Sequence, residues 1–349
     1  MAFSYQPLIG GELFDMAERF SEDADARLAG VRDAIARDHV LGELWRDVER
    51  LGWPQSLIPE AWGGAGGTLE DALALVEGAG RFALPVPAAK SLLMAPRLLD
   101  GQVLGEMAAA DVRLAVVLDG AYPWREASGV RLTDGRIEGA VLGTEDVPGA
   151  THYLVAADDR LALIAANRVE VRRHRRIDGR IAADLHFDKA VPDARYAGEG
   201  ISAAIDLAAL AACIEIVAGA ATVIEDTVRY LNERHQFGVA LSSFQVLRHY
   251  VADMYIAYQN AHAVTAAALR GAIASPANLP WREIALAKLR AGEVGRSIAE
   301  TSIQCHGGMG MTEENRATRI GKRLIMADLE WGDRAWLSER LLADRNLAA

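Results

Sequence analysis

Gln304-Cys305-His306-Gly307-Gly308-Met309-Gly310-Met311-Thr312-Glu313 is the stretch that organises the chain. A helix-like run from Trp281 to Cys305 enters it, and a second run rich in Arg and Lys leaves it. Glycines at 307, 308 and 310 permit positive φ and let another group come close to the backbone. Backbone N–H groups at such a helix junction can meet a pyrophosphate or another polar ligand, but a glycine C-cap also ends helices that bind nothing. His306 sits just before the glycines, where it is either packed or touches a ligand or a partner. Cys305 reads as a buried structural thiol.

Working outward, residues 200 to 349 read as a bundle of four long helices. Asp206 is the expected N-cap of the first, whose apolar residues run through Ile224 and predict a core helix. Arg234-His235-Gln236-Phe237-Gly238 separates it from the second, which begins after Ser242-Ser243. There Val246, Tyr250, Met254 and Tyr258 recur every four residues, with Leu247 and Val251 beside them, as a packing face. Trp281 to Cys305 is the third helix and Arg316 to about Leu342 the fourth. Residues 111 to 199 read as a β domain of about six strands: Val112 to Leu118, Gly129 to Leu132, Ile137 to Leu142, His152 to Ala156, Leu161 to Ala165 and Ala183 to Phe187. Asp134-Gly135 and Asp158-Asp159 mark turns between strands. The basic run Arg172 to Arg176 lacks a glycine loop and reads as a solvated edge or loop. Residues 1 to 110 are mostly helical. Leu13, Met16, Ala17 and Phe20 share a face, as do Leu28, Val31 and Ile35, and His39 to Leu51 continues the pattern. Thr68 is the N-cap of the next helix, with Asp71 near its start. Pro96 should kink or divide Ala88 to Leu99. The fold class is α+β.

The 349 residues are 51% hydrophobic and 24% charged, enough for two or three domains and a sizeable core. A net charge of −11 argues against nucleic acid and anionic membrane as partners. No apolar run is expected to reach the roughly 18 residues of a membrane span. The first residues show no secretory signal. Cys213 and Cys305 are the only cysteines, which suits a reducing cytoplasm. No metal-ligand spacing, nucleophilic triad or P-loop is present.

Arg-x-Gln-Phe-Gly from Arg234, Phe244-Gln245, Ala252-Asp253-Met254 and Gln-x-x-Gly-Gly-x-Gly from Gln304 together resemble the C-terminal helical domain of the acyl-CoA dehydrogenase family. Ile58-Pro59-Glu60-Ala61-Trp62-Gly63-Gly64-Ala65-Gly66-Gly67 and Glu77-Gly78-Ala79-Gly80-Arg81 resemble its N-terminal domain. The resemblance spans nearly the whole chain. It implies an N-terminal helical domain (1–110), a barrel-like middle β domain (111–199) and a C-terminal four-helix bundle (200–349). It also implies FAD, an acyl-CoA thioester substrate, a carboxylate that takes the α-proton, and an electron-transfer flavoprotein as acceptor. The family's flavin site draws on two subunits. The neighbour's share is implied here by Arg234, Phe237, Gln245, Gln304, Gly307 and Gly308, with Arg234 on the pyrophosphate.

The departures are as informative. The family's Thr-Glu-Pro-x-x-Gly-Ser-Asp-like loop and Trp-Ile-Thr-like strand are missing. Leu118-Asp119-Gly120-Ala121-Tyr122-Pro123-Trp124 and Gly139-Ala140-Val141-Leu142 stand in their place. Trp331 falls where most members carry the catalytic Glu, with Glu330 one residue earlier. The first-helix position used by a minority is Ala208, with Glu215 about two turns on. Glu330 and Glu215 are the candidate bases, and an ion-pair or capping role is open for each. Asp333 replaces the family's Thr, an anion that needs compensation beside a flavin. The expectation is a short subunit of an α2β2 heterotetramer acting on a bulky acyl-CoA such as a steroid side chain. A complete acyl-CoA dehydrogenase subunit would then supply the base and most of the flavin site. A self-sufficient homomer using Glu330 and a scaffold without flavin are the alternatives.

Overall fold

The computed structural model describes residues 3–99, 101–118 and 129–345. The stretch Asp119 to Trp124 therefore lies outside the described residues. The chain divides into two compact units, Met1–Arg37 with Leu73–Leu84 and Ala209–Ala349, and Asp38–Ala72 with Pro85–Ala208.

The first unit is built on helices. α1 (Gly11–Ala29) ends at Gly30, and α2 (Ala34–Arg50), most of which belongs to the second unit, starts beyond a short break, so Leu28, Val31 and Ile35 do not share one face. Ile35 is left exposed. α3 (Leu69–Arg81) begins in the second unit with a reciprocal cap. Thr68 N donates to Asp71 Oδ2 at 2.8 Å, and Asp71 N donates to Thr68 Oγ1 at 3.2 Å. Gly80 of α3 lies directly on Glu215, since a Cβ there would come within 2.8 Å of the Glu215 Cα.

α6 (Ile201–Glu233) begins before Asp206, which is an interior residue and not the expected cap. The error has a plain cause: Ile201 to Ile205 already satisfy the helical pattern, so an Asp inside it need not start anything. α6 is long and apolar enough by composition to cross a bilayer, contrary to expectation, yet its most apolar window is wholly buried in the protein.

α7 (Gln245–Ala274) packs through Val251, Met254, Tyr258, Ala261, Thr265, Ala268, Leu269 and Ala272. Val246 and Tyr250 are exposed and fall off that face. A spacing of four residues advances about 400°, so each step drifts about 40° round the helix. Three steps carry Val246 about 120° away from Tyr258. α8 (Trp281–His306) runs as expected and ends at Gly307.

The expected fourth helix is two. α9 (Arg316–Leu329), capped by Asn315 Oδ1 on Ala317 N at 3.0 Å, stops at Glu330 with extended backbone (φ −89°, ψ 151°). Trp331 (φ 57°) and Gly332 (φ 109°) turn the chain through the left-handed region. α10 (Arg334–Arg345) follows, its start capped by Asp333 Oδ1 accepting from Trp336 N at 2.9 Å.

Among the described residues the second unit carries eight strands, more than the six expected, in two four-stranded sheets. One orders β1 (Leu114–Val117), β4 (His152–Ala157), β5 (Arg160–Ala165) and β8 (Ala194–Ala197), with β1 parallel to β4. The other orders β2 (Arg131–Thr133), β3 (Arg136–Glu145), β7 (Ile181–Ala190) and β6 (Glu170–Arg175). Asp134 (φ 49°) and Gly135 (φ 76°) make the β2–β3 turn, as the Asp-Gly signal predicts. β6 is an exposed edge strand of charged residues with no apolar alternation, in line with the solvated edge that the basic run suggests. Its arginines are neutralised locally: Arg172 by Glu170, Arg173 by Asp146 and Arg175 by Asp38. β8 was missed because it is short and half-exposed.

In the segment around Pro96, a buried π-helical turn (Ala89–Met94) leads into α4 (Ala95–Leu98), and α5 (Gln102–Ala108) follows. Pro96 lies just past this π-helical turn, inside a helical run from Ala88 to Leu98 that changes register before it, as a residue without an N–H should cause.

Candidate functional site

Two places in the helical unit carry the residues singled out by sequence. The first is the end of the bundle where α6 and α8 finish. Beyond α6 the chain makes a small hairpin, β9 (His235–Gln236) paired with β10 (Val239–Ala240). Phe237 (φ 56°) and Gly238 (φ 81°) are its turn, a double left-handed pair typical of two-residue hairpins. Leu241 N donates to Arg234 O at 2.8 Å and closes the hairpin base, from which α7 starts at Gln245. The Tyr230 ring lies 4.5 Å from the His306 ring, tilted by 30°, and so joins the end of α6 to the end of α8. Arg234, Phe237 and Gln245 thus share a bundle end with Gln304, Gly307 and Gly308.

This end is open. Phe237 is 91% exposed and lies edge-on to Phe244, 6.2 Å away between centroids. Arg234, Gln245, Gln304, Gly307 and Gly308 are exposed as well. Among the described residues, the side chains of Arg234, Gln245 and Gln304 have no hydrogen-bond or ion-pair partner. The three glycines of the motif differ in their reasons. Gly307 uses a positive φ of 58°. Gly310 is needed for space, since a Cβ would fall 2.6 Å from Ile303 O. Gly308 has nothing within 4 Å of a Cβ, so folding leaves it unconstrained. A guanidinium without a counter-ion, two primary amides without partners and an open glycine turn fit the pyrophosphate side of a dinucleotide.

The second place is buried. Arg323 on α9, with a side chain 4% exposed, brings together both candidate carboxylates. Its Nη2 lies 2.6 Å from Glu215 Oε2 on α6 and 2.7 Å from Glu330 Oε2 at the end of α9. Each carboxylate is 11% exposed. Beside them Lys288 of α8 is 1% exposed. Its Nζ donates to Asp328 O at 2.9 Å and Gly332 O at 3.4 Å, bridging the α9–α10 break and satisfying a carbonyl at the α9 C-terminus. Burial lowers the Lys288 ammonium below its ordinary value, opposed by the charges of Asp328 and Glu330. Asp328 in turn pairs with Arg296 at 3.0 Å. Trp331, also buried, occupies the turn between Glu330 and Gly332.

Asp333, expected to face a flavin, spends its carboxylate on the α10 N-terminus. Ala208 is buried on α6. Cys213 and Cys305 are buried free thiols, pushed up to about 12 and about 11 by desolvation. Among the described residues no group of His, Cys, Asp or Glu could hold a metal ion.

Sequence reasoning missed Arg323, Lys288 and the capping role of Asp333. A signal existed for each. Lys288 stands in the apolar run Ile284 to Ala291, Arg323 stands on the apolar face of α9, and Asp333 lies three residues before Trp336 at a helix start.

Comparison with known proteins agrees with this architecture. A family model described as "Acyl-CoA dehydrogenase, N-terminal domain" matches residues 11–117, and one described as "Acyl-CoA dehydrogenase, C-terminal domain" matches residues 198–329. Acyl-CoA dehydrogenase IpdE2 of Mycobacterium tuberculosis is 33% identical over 295 residues, 82% of each chain. A variant of the Tcur3481-Tcur3483 steroid ACAD has the same fold, with a TM-score of 0.82 at 24% identity over 96% of this chain and 99% of that one. The ChsE4-ChsE5 complex from Mycobacterium tuberculosis gives a TM-score of 0.80 at 22% identity, covering 98% and 99%. The helical unit with its glycine turn, the paired β-sheets and these matches agree: the chain belongs to the acyl-CoA dehydrogenase family.

Proposed function

We propose that this chain is the flavin-lending subunit of a heteromeric acyl-CoA dehydrogenase, an α2β2 assembly that introduces an α,β double bond into an acyl-CoA thioester. The observation that carries the reading is a contrast within one unit. The residues a family member offers to its neighbour are exposed and without partners, whereas both candidate bases are committed to one buried arginine. Taking a substrate proton would cost Glu330 or Glu215 its pairing with Arg323, and would leave that guanidinium with one counter-charge in place of two. The base therefore comes from a second, complete subunit, and the Glu215–Arg323–Glu330 group is a structural clamp.

FAD supplies hydride acceptance when bound. The residues of this chain that would hold it are Arg234, which neutralises the pyrophosphate, and Gln245 and Gln304, whose amides can both donate and accept. Phe237 would offer the cofactor an apolar ring, and the Gly307–Gly308 turn would leave it room. Nearby structures named as a steroid ACAD and as a ChsE4-ChsE5 complex support a bulky acyl group, such as a steroid side chain, and a two-chain assembly. Two free buried thiols suit a reducing cytoplasm. Resemblance to the family supports reoxidation by an electron-transfer flavoprotein.

Two variants of the isolated assembly test the reading. Arg234→Ala should lower FAD retention, and Glu330→Gln should leave turnover of the thioester within about threefold of wild type. A loss of more than about a hundredfold on Glu330→Gln, the scale of a lost general base, would make Glu330 the base and this chain self-sufficient. Unchanged FAD retention in Arg234→Ala would favour a scaffold role.

A further inference from the structure

His306 closes α8 and is only 6% exposed, yet one of its ring nitrogens is unused. A directional chain of hydrogen bonds fixes which one. Thr227 Oγ1 lies 2.7 Å from Val223 O, and a carbonyl only accepts, so the Thr227 hydroxyl proton points there. Ser302 Oγ, 2.8 Å from Thr227 Oγ1, must then be the donor of that pair. His306 Nδ1 lies 2.8 Å from Ser302 O and 3.4 Å from Ser302 Oγ, both of which can only accept from it. The neutral ring therefore carries its proton on Nδ1 and its lone pair on Nε2. Nε2 has no partner among the described residues. The ring is also held in place, against Tyr230 on one side and by its bond to Ser302 on the other.

His306 closes α8 at the bundle end that carries Arg234, Gln245, Gln304 and the glycine turn. The charge pattern there is complementary to a nucleotide. A pyrophosphate offers only acceptors and matches Arg234, while an adenosine offers an amino group and ribose hydroxyls as donors. We propose that His306 Nε2 accepts a hydrogen bond from the adenosine half of bound FAD and so positions it, an inference that rests on the flavin-lending role above. The titratable and charged groups around the ring are Tyr230 and Asp226 on α6, with Asp226 held by Arg316 on α9 at 2.6 Å and by Arg229. Burial keeps the imidazole below its ordinary value, against a smaller upward pull from Ser302 O and Asp226. Protonation converts Nε2 from acceptor to donor, so FAD binding should weaken on the acid side.

The test is the FAD dissociation constant of the assembly as isolated, stripped of flavin and titrated with FAD across pH. His306→Phe keeps a ring against Tyr230 but has no lone pair. It should bind FAD about 5- to 10-fold more weakly, the range of one lost hydrogen bond, and lose the acid limb. His306→Gln, which offers a carbonyl oxygen instead, should recover part of the affinity. Wild-type affinity in His306→Phe, alongside weakened binding in Arg234→Ala, would overturn this inference and leave the flavin-lending role standing. Unchanged affinity in both variants would remove both. Should His306→Phe fail to fold, the wild-type protein decides: FAD affinity without an acid limb overturns the proposal.

Discussion

Arg323→Met should be among the most destabilising single changes at the α9–α10 corner. The substitution keeps a long apolar stem but removes the cation between Glu215 Oε2 and Glu330 Oε2, which lie 2.6 and 2.7 Å from the same Nη2. Both carboxylates are 11% exposed, so water recovers little of the lost interaction. Removing one partner of a buried pair costs about 3–5 kcal/mol. At about 2–3 °C per kcal/mol for a chain of this size, the melting temperature should fall by roughly 6–15 °C. Glu330→Gln should cost less, because Arg323 keeps Glu215. The triple variant Glu215→Gln/Arg323→Met/Glu330→Gln should recover most of the loss, since a neutral cluster needs no counter-charge. Scanning calorimetry on all three, with circular dichroism to confirm the fold, gives the comparison. An Arg323→Met protein that melts within about 2 °C of wild type would refute the clamp and free both carboxylates for chemistry.

Gly308→Ala and Gly310→Ala should separate binding from folding. Gly310→Ala puts a methyl 2.6 Å from Ile303 O and should destabilise by about 1–3 kcal/mol in a urea melt, whereas Gly308→Ala meets nothing and should leave stability unchanged. Phe237→Ala should leave the melting temperature within about 1 °C, since the ring is 91% exposed, and should lower FAD retention. His306 gives a pH signature. Its folded pKa is lowered, so below the ordinary value of 6.5 the unfolded chain binds more protons than the folded one. Stability should therefore fall as pH drops from 6.5 through the lower folded pKa, and urea midpoints of His306→Phe should show a shallower fall over that window.

What the sequence made legible was what local rules dictate. The Thr68–Asp71 cap, the Asp134-Gly135 turn and the end of α8 at Gly307 all follow from residues within a few positions of one another. The residues of the open bundle end were readable as a motif, and their lack of internal partners agrees with a surface that works on something outside the chain. The buried corner was not readable, because Glu215, Lys288 and Arg323 are brought together from three helices far apart in sequence. The α9–α10 break was hidden for a related reason. Glu330-Trp331-Gly332 continues an apolar–polar pattern that reads as helix, and the left-handed turn at Trp331 is held by Lys288 on another helix. Counting along a continuous helix therefore misplaces Glu330, which lies where the helix ends.

Flavin content and assembly size, measured on this chain expressed alone and then co-expressed with a complete acyl-CoA dehydrogenase subunit, test the central claim most directly. The expected result is colourless protein from the single chain and a yellow heterotetramer, with one FAD per pair of unlike chains, from the two together. A yellow homomer that oxidises acyl-CoA by itself would contradict it.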